Sequence, residues 1–371
     1  MPEAWLPLTG VRVVDFSMFV PGPFCSAILA DLGAEVIKVE PPRGDPGRSY
    51  VPVQFASENR NKRSIAIDLK HPASARIVEE LVKRSQVVIE GFRPGVAQRL
   101  GIDFASLRKL KPSLVYCSIS GYGQTGPWRE RPGHDVNYVA AAGGLAFPGQ
   151  WLTAPARSSL PIADMAGGGF AAIAILAALR EGKGAYLDLS LFEAAFFLCA
   201  MRHSLDRDVD PRAHLFPVND VFECADGARL TLGILEEHFW QNFVRLVPEL
   251  ADERFSSDAK RRANGDALSA ILAQVMRGKT AKAWIELLEA NDVPVDLCVT
   301  PGEAACHPQL IERKSVERAF AKFPVWANGA RAGEIRSGPP RLGEHSREIL
   351  VELGFDDGQI ADFVKEKSVV C

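Results

Sequence analysis

Three side chains in this sequence have the chemistry to move protons. His134 precedes Asp135 at a predicted helix start, and a neutral histidine acts as a general base near pH 7. The unpaired N–H groups of that helix start could bind a developing oxyanion. Asp164 precedes three glycines at the start of an apolar helix, which would leave space for a substrate. Glu236 opens a later helix.

Each of these residues also has an ordinary interpretation. A lone histidine is more often structural. Asp164 could simply cap its helix, and Glu236 could be a first-turn acid that complements the helix dipole. Because the three lie far apart in the sequence, their spacing alone does not bring them together.

A second group of residues is cationic and lies at the ends of predicted strands. Lys38 ends one strand, Lys62 and Arg63 precede another, and Arg93 lies in a loop after a third. Together these residues could bind a phosphate-bearing ligand. The alternative for any one of them is a solvated basic loop.

The segment GYGQTG contains Gly121, Gly123 and Gly126 after a predicted strand. This spacing fits G-x-G-x-x-G, in which backbone N–H groups approach the phosphates of a dinucleotide. The polar stretch after Pro127 does not continue as a helix, and the acidic residue that the fingerprint needs is missing. We therefore interpret the segment as a loop that lets another group approach closely.

The composition is that of an ordinary globular protein. The chain has 371 residues, of which 47% are apolar and 24% charged, with 43 basic and 46 acidic side chains. These values exclude a disordered, collagen-like or coiled-coil chain. The near-zero net charge also argues against nucleic acid or an anionic membrane as a partner.

Short runs rich in β-branched residues alternate with helical patterns through the first half of the chain. Strands that alternate with helices predict βαβ units and a mostly parallel sheet, whose functional loops follow the carboxyl ends of the strands. The predicted strands are 11–17, 35–40, 64–69, 86–90 and 114–120, and the helices between them are 24–32, 73–84 and 104–110.

The pattern changes near residue 218. The runs VFECA and ARLTLGIL, joined by Asp226-Gly227, predict a hairpin, and amphipathic helices follow it. We therefore expect a smaller α+β domain over residues 215–305. Residues 308–340 are predicted to be irregular, and two short helices are expected after Ser346.

Seven scattered cysteines without a Cys-x-x-Cys pair indicate a reduced, cytoplasmic protein. The first residues lack the pattern of a signal peptide. The apolar run from Met165 to Leu179 is expected to be too short to span a bilayer and to form a closely packed buried helix.

Several longer segments occur in a set order: LTGVRVVDFSMFVPGPFCSAILADLGAEVIKVEPP, NRNKRSIAIDLK, VVIEGFRPGVAQRLGID, YCSISGYGQTGP, DMAGGGFAAIAILAAL and GKGAYLDLSLFEA. As a set they resemble the class III CoA-transferase (CaiB/BaiF) superfamily. The resemblance is strong from Leu8 to Ala195 and weaker beyond.

The resemblance implies an α/β protein that forms an interlocked homodimer. A Rossmann-like large domain, residues 1–214 and 306–371, would carry the mostly parallel sheet beside the small domain. An acyl-CoA would be the ligand, and its phosphates would account for the cationic residues. The positions that match phosphate contacts are Lys38, Lys62, Arg63 and Arg93, and those that match the loop near the CoA are Val20 and Gly22.

The superfamily contains two chemistries. Its transferases use one aspartate as a nucleophile that forms acyl-anhydride and CoA-thioester intermediates, and its racemases invert the centre next to the thioester carbonyl of a 2-methylacyl-CoA. Asp164 matches the functional aspartate of both. The segment GHDVNY looks like the α-methylacyl-CoA racemase pattern, because transferases commonly have Phe where this chain has His134. Glu236 matches the racemase glutamate that pairs with the histidine.

Inverting a carbon centre requires one proton to leave from one face and another to return on the opposite face. We therefore assign His134, oriented by Glu236, to one face and Asp164 to the other. By resemblance, the backbone N–H of Asp135 would stabilise the enolate oxygen. The CoA thioester is the substrate, and neither a metal nor a redox cofactor is expected.

The alternative is a CoA-transferase that moves CoA between carboxylic acids through Asp164. Arg157 lies in a segment that departs from the best-known racemases, and it could contact a carboxylated acyl group. A dicarboxylyl-CoA substrate therefore stays open.

Overall fold

The computed structural model describes residues 4–206 and 209–371, which divide into two compact units. Unit 1 comprises residues 1–142, 158–198 and 308–371, and unit 2 comprises residues 143–157 and 199–307. The division differs from the predicted boundaries, because residues 143–157, 199–214 and 306–307 belong to unit 2. Trp151 shows why, since its backbone N–H donates to Asp220 at 2.8 Å and its indole N–H donates to Asp266 at 2.9 Å.

Strands and helices alternate through the first half of the chain. The strands are β1 Arg12–Asp15, β2 Glu35–Glu40, β3 Lys62–Ile67, β4 Val87–Glu90, β5 Val115–Ser120, β6 Ala185–Ser190, β7 Val221–Glu223, β8 Arg229–Leu232, β9 Val295–Leu297, β10 Val316–Glu317, β11 Phe320–Ala321, β12 Trp326–Ala327, β13 Ala330–Arg331 and β14 Val369–Val370.

The helices have these bounds: α1 Pro21–Asp31, α2 Gly47–Tyr50, α3 Pro52–Asn59, α4 Ser74–Lys83, α5 Val96–Arg99, α6 Phe104–Leu110, α7 Asp135–Ala141, α8 Ile162–Glu181, α9 Leu191–Arg202, α10 Glu237–Leu246, α11 Asp258–Ala263, α12 Gly265–Met276, α13 Ala281–Glu289, α14 Pro301–Ala305, α15 Pro308–Glu312, α16 Ser346–Glu352 and α17 Asp357–Lys365, with 3₁₀ turns at Pro248–Leu250 and Glu253–Phe255.

A seven-stranded sheet forms the centre of unit 1, in the order β14-β3-β2-β1-β4-β5-β6. Strands β1 to β6 are parallel, and only β14 runs antiparallel, against β3. The mostly parallel sheet that the alternating pattern predicts is therefore confirmed. Strands β1 to β5 are buried on both faces, whereas the edge strand β6 is partly exposed. Helices α4 and α16 contribute Ile77, Leu81 and Leu350 to the core on one face.

The strand order reverses at β1, because the chain builds β2 and β3 on one side and β4 to β6 on the other. The backbone N–H of Phe16, just after β1, donates to the Ile89 carbonyl of β4 at 2.8 Å. Gly91 follows β4, and a Cβ there would lie 3.5 Å from the Ser17 Cβ. The loops after β1 and β4 therefore lie side by side, at the place where open α/β sheets usually bind ligands.

Helix α8 has 20 residues and, among the residues described, is the single helix long and apolar enough to cross a membrane. It is longer than the run expected from the sequence. A Cβ at Gly167 would lie 2.4 Å from the Leu191 side chain, and one at Gly168 would lie 2.6 Å from the Pro21 carbonyl. These two glycines allow close helix packing, so the prediction that they leave space for a substrate is wrong.

Unit 2 contains the antiparallel sheet β7-β8-β9. The hairpin predicted at Asp226-Gly227 is confirmed, since β7 pairs with β8 and Gly227 has a φ of 76°. The sheet packs on a core that includes Trp240 and Trp284. Within the region predicted to be irregular, β10–β11 and β12–β13 form two short hairpins.

We predict that Gly168→Ala lowers the free energy of unfolding by about 1–3 kcal/mol, because the added methyl group must displace the backbone of α1. Gly169→Ala is the matched control. Nothing lies within 4 Å of a Cβ there, and alanine favours the helix more than glycine does. Gly169→Ala should therefore raise the free energy of unfolding by about 0.5–1 kcal/mol. Urea unfolding of both variants measures the difference, and equal effects would contradict the packing role of Gly168.

Candidate active site

The carboxylate of Asp135 joins the starts of two helices in unit 1. Asp135 is the first residue of α7 and is buried. Its Oδ1 accepts hydrogen bonds from the backbone N–H groups of Ala163 at 2.7 Å and Asp164 at 3.4 Å. These belong to the first turn of α8, whose own N-cap residue is Pro161, without a side chain that can accept a hydrogen bond. The structure thus brings the His134 turn and Asp164 together, although they are 30 residues apart in the sequence.

Asp164 is half-buried, and its pKa is raised from 3.8 to about 7. Burial is the larger cause, and the negative charge of Asp135 acts in the same direction. A carboxyl group with a pKa near neutrality can both accept and donate a proton under physiological conditions.

His134 is exposed and occupies the N-cap position of α7. Its backbone N–H donates to the Asn137 side chain at 3.0 Å. The hydroxyl of the buried Tyr138 donates to the Gly133 carbonyl at 2.6 Å. These two hydrogen bonds fix the backbone of residues 133 and 134, while the His134 side chain is exposed to solvent.

The glycine loop after β5 packs against Tyr138, which contacts the same turn. A Cβ at Gly121 would lie 2.5 Å from the Tyr138 hydroxyl, and a Cβ at Gly133 would lie 2.7 Å from the Tyr138 ring. Tyr138 is therefore a group that approaches the glycine loop closely, as the second interpretation of GYGQTG expected.

Three of the four predicted phosphate contacts already have carboxylate partners. Lys38 and Lys62 have fully buried side chains, which pair with Asp45 at 2.9 Å and Asp15 at 3.3 Å. Arg63 is bound by a cluster of glutamates, Glu35, Glu348 and Glu352. The structure places the two lysines inside the fold, because strands covered on both faces have no solvent-facing side.

Arg93 is the predicted cation that the structure leaves exposed, in the loop after β4. Its charge lowers the pKa of Tyr138, although burial raises that pKa overall, to about 12. Sequence reasoning missed further exposed cations in the segments that follow these strands, among them Arg43 after β2, Lys70 after β3 and Arg99 in α5. The signal was available, since each lies in a segment beyond a strand, where a side chain can reach solvent.

The remaining predicted residues lie at separate places. Val20 is the N-cap residue of α1, and Gly22 is buried beside Ser17. Glu236 and Arg157 belong to unit 2, and both are exposed. The pairing of Glu236 with His134, the substrate contact of Arg157 and the oxyanion role of the Asp135 N–H stay predictions.

Comparison with known proteins shows the family. A family model described as CoA-transferase family III matches residues 8–346. This chain belongs to that family. The resemblance inferred from the sequence motifs is therefore confirmed, and with it the assignment to a family of enzymes that handle acyl-CoA.

The relatives of the chain within the family carry out different reactions. An acetyl-CoA:oxalate CoA-transferase of Acetobacter aceti is 33% identical, with 95% of this chain and 97% of the relative covered. The human alpha-methylacyl-CoA racemase is 30% identical, with 98% of each chain covered. The crystal structure of a CaiB/BaiF family protein from Brucella suis is 29% identical, has a TM-score of 0.83 and covers 94% of this chain and 99% of its own. Membership in the family thus leaves open whether the chain is a racemase or a transferase.

The raised pKa of Asp164 predicts a pH-dependent gain in stability for Asp164→Asn. Because the folded-state pKa is about 7 and the ordinary value is 3.8, only the folded chain keeps this proton between the two values, so stability falls as the pH rises through that range and is level above it. Asparagine does not ionise, so its advantage in melting temperature should grow from about pH 4 to about pH 7 and then level off. The exposed Glu289→Gln serves as the control and should show little change. A constant difference across this range would contradict the raised pKa.

Proposed function

We propose that the chain is an acyl-CoA racemase or epimerase that inverts C2 of a 2-methylacyl-CoA. The observation that carries this proposal is geometric: the Asp135 carboxylate binds the first turn of α8 and so brings the His134 turn beside Asp164. The pKa of Asp164, raised to about 7, supports it. A proton-transfer group is most effective when its pKa lies near the working pH, whereas a carboxylate nucleophile must be ionised. His134 supplies a second group with acid–base chemistry, and Asp135 ties its turn to Asp164.

The reaction exchanges one proton for another. His134 removes the C2 proton from one face, which leaves an enolate on the thioester, and protonated Asp164 returns a proton to the opposite face. The reverse direction begins with ionised Asp164 and protonated His134. The Asp135 N–H, which as the first of α7 has no partner within the helix, would donate to the enolate oxygen. This sequence of steps uses neither a metal nor a redox cofactor.

The exposed cations at the carboxyl edge of the sheet would hold the phosphates of CoA. Arg93 lies in the loop after β4, where the strand order reverses, and Arg99 lies in the helix that follows this loop. Lys70 follows β3 at the same edge of the sheet. We therefore assign the phosphates to these three residues, in preference to the buried Lys38 and Lys62.

The second candidate is a CoA-transferase. The relative named acetyl-CoA:oxalate CoA-transferase supports it, and an ionised Asp164 could attack a thioester carbonyl. This candidate requires a carboxylic acid as the acyl acceptor, and that requirement separates the two reactions.

Incubation with a 2-methylacyl-CoA in D₂O tests the proposal. Deuterium should enter C2 without any acceptor acid, as mass spectrometry would show. His134→Phe should reduce this exchange by about 10²–10⁴-fold, the usual contribution of a general acid–base group, and it should bind CoA within about twofold of the wild type. Absence of exchange, with acceptor-dependent CoA transfer and a hydroxylamine-trapped acyl group on Asp164, would establish the transferase instead.

We also propose that the chain works as an interlocked homodimer. The apolar side chains of Ile173, Phe196 and Phe197 on α8 and α9 are 63%, 45% and 56% exposed in the single chain. Exposed apolar clusters of this kind usually mark an interface.

Light scattering should give twice the chain mass of 40.4 kDa. Phe196→Asp combined with Phe197→Asp should shift the protein toward the monomer, whereas Lys282→Glu on an exposed surface should not. A monomeric wild type at micromolar concentration would refute the dimer.

A further inference from the structure

The loop after β1 contains a bulky residue in an unfavourable backbone conformation. Phe19 has a φ of 62°, in the left-handed region that side chains with a Cβ rarely adopt. Phe19 is 42% exposed, whereas Phe16 and Ser17 are buried. Such a conformation persists only where the surrounding structure imposes it.

A buried ion pair imposes it here. Lys38 Nζ donates to the Ser17 carbonyl at 3.0 Å and to Asp45 Oδ2 at 2.9 Å. The other oxygen of Asp45 accepts the N–H of Phe19 at 3.4 Å and that of Gly47 at 2.8 Å. Two backbone groups of the loop, on either side of Met18, are therefore held by the two members of one ion pair.

A second pair holds the base of the loop. The backbone N–H of Ser17 donates to Asp15 Oδ1 at 2.9 Å, and the Ser17 hydroxyl donates to the same oxygen. Asp15 Oδ2 in turn accepts from Lys62 Nζ at 3.3 Å. Gly22 completes the arrangement, because a Cβ there would lie 2.0 Å from the Ser17 hydroxyl oxygen.

The loop after β1 lies close to the proposed active site. The loop lies where the strand order reverses, beside the loop that carries Arg93. Helix α1 follows it, and its Pro21 carbonyl packs on Gly168, one turn after Asp164. The exposed Phe19 ring is thus presented at the same edge of the sheet as the proposed active site.

We propose that Lys38 and Asp45 are positioning residues that hold Phe19 so that its ring packs against the CoA part of the substrate. This inference rests on the proposed function, since it takes an acyl-CoA as the ligand. It gives the two buried ion pairs a role other than phosphate binding: they shape the loop from within the fold.

The first test titrates free CoA into the wild type, Phe19→Gly and Phe19→Ala by calorimetry. Glycine adopts the left-handed conformation without penalty, so Phe19→Gly should raise the melting temperature above that of Phe19→Ala. Both variants lose the ring, and each should bind CoA about tenfold more weakly. The KM for C2 exchange should rise in step with the loss of CoA affinity.

The second test removes the ion pair as a unit in Lys38→Met with Asp45→Ala, so that no unpaired charge is left buried. CoA affinity should fall about tenfold, and the Phe19 amide should exchange with solvent at least tenfold faster. The control removes a second, similarly enclosed pair in Arg60→Met with Asp31→Ala, which does not contact the loop. It should lower stability and leave the CoA affinity unchanged.

The outcomes separate this inference from the proposed function. If the wild type does not bind CoA, both fail. If the wild type binds CoA and both Phe19 variants bind it equally well, the ring does not contact CoA and the inference is overturned. A folded Lys38→Met/Asp45→Ala variant with wild-type CoA affinity and wild-type exchange at Phe19 would overturn the positioning role. A loss of affinity equal to that of the Arg60/Asp31 control would also overturn it.

Discussion

The site depends first on the hydrogen bonds from the start of α8 to the Asp135 carboxylate. A helix start leaves N–H groups without partners, and Pro161 has no side chain that can cap them. Asp135 provides the cap from another helix, a contact of a kind that contributes about 0.5–2 kcal/mol. Because His134 is the neighbouring residue, the same contact sets the position of the histidine turn relative to Asp164. The contact also brings a negative charge close to Asp164, which contributes to its raised pKa.

The cations at the carboxyl edge of the sheet are of two kinds, buried and exposed. The buried cations Lys38 and Lys62 are matched by Asp45 and Asp15, as burial of a charge requires. The exposed cation Arg93 lies in a loop. A near-neutral chain can therefore present local positive charge to one ligand without a general affinity for polyanions.

Much of this organisation is predictable from the sequence because it is local. The alternation of strands and helices predicted the parallel sheet of unit 1, and Asp226-Gly227 predicted the hairpin of unit 2. The motifs identified the family. The strand β14 was not predictable, because two residues carry no periodicity.

What the sequence could not show depends on contacts between distant segments. The triple glycine after Asp164 suggested space for a substrate, but Gly167 and Gly168 are filled by neighbouring helices. Lys38 looked like a ligand contact because a strand sequence does not show which cation has a buried partner. The capping of α8 by Asp135 joins residues 28 positions apart, and no local pattern records it.

The most direct test of this account is the titration of the Asp164 carboxyl carbon by ¹³C NMR, in the wild type and in Asp135→Asn. Asparagine keeps an oxygen that can accept the α8 N–H groups but removes the charge. We predict a pKa near 7 in the wild type and a lower value in the variant, with the fold retained. An Asp164 pKa close to 3.8 in the wild type would contradict the proton-transfer role on which the proposed function rests.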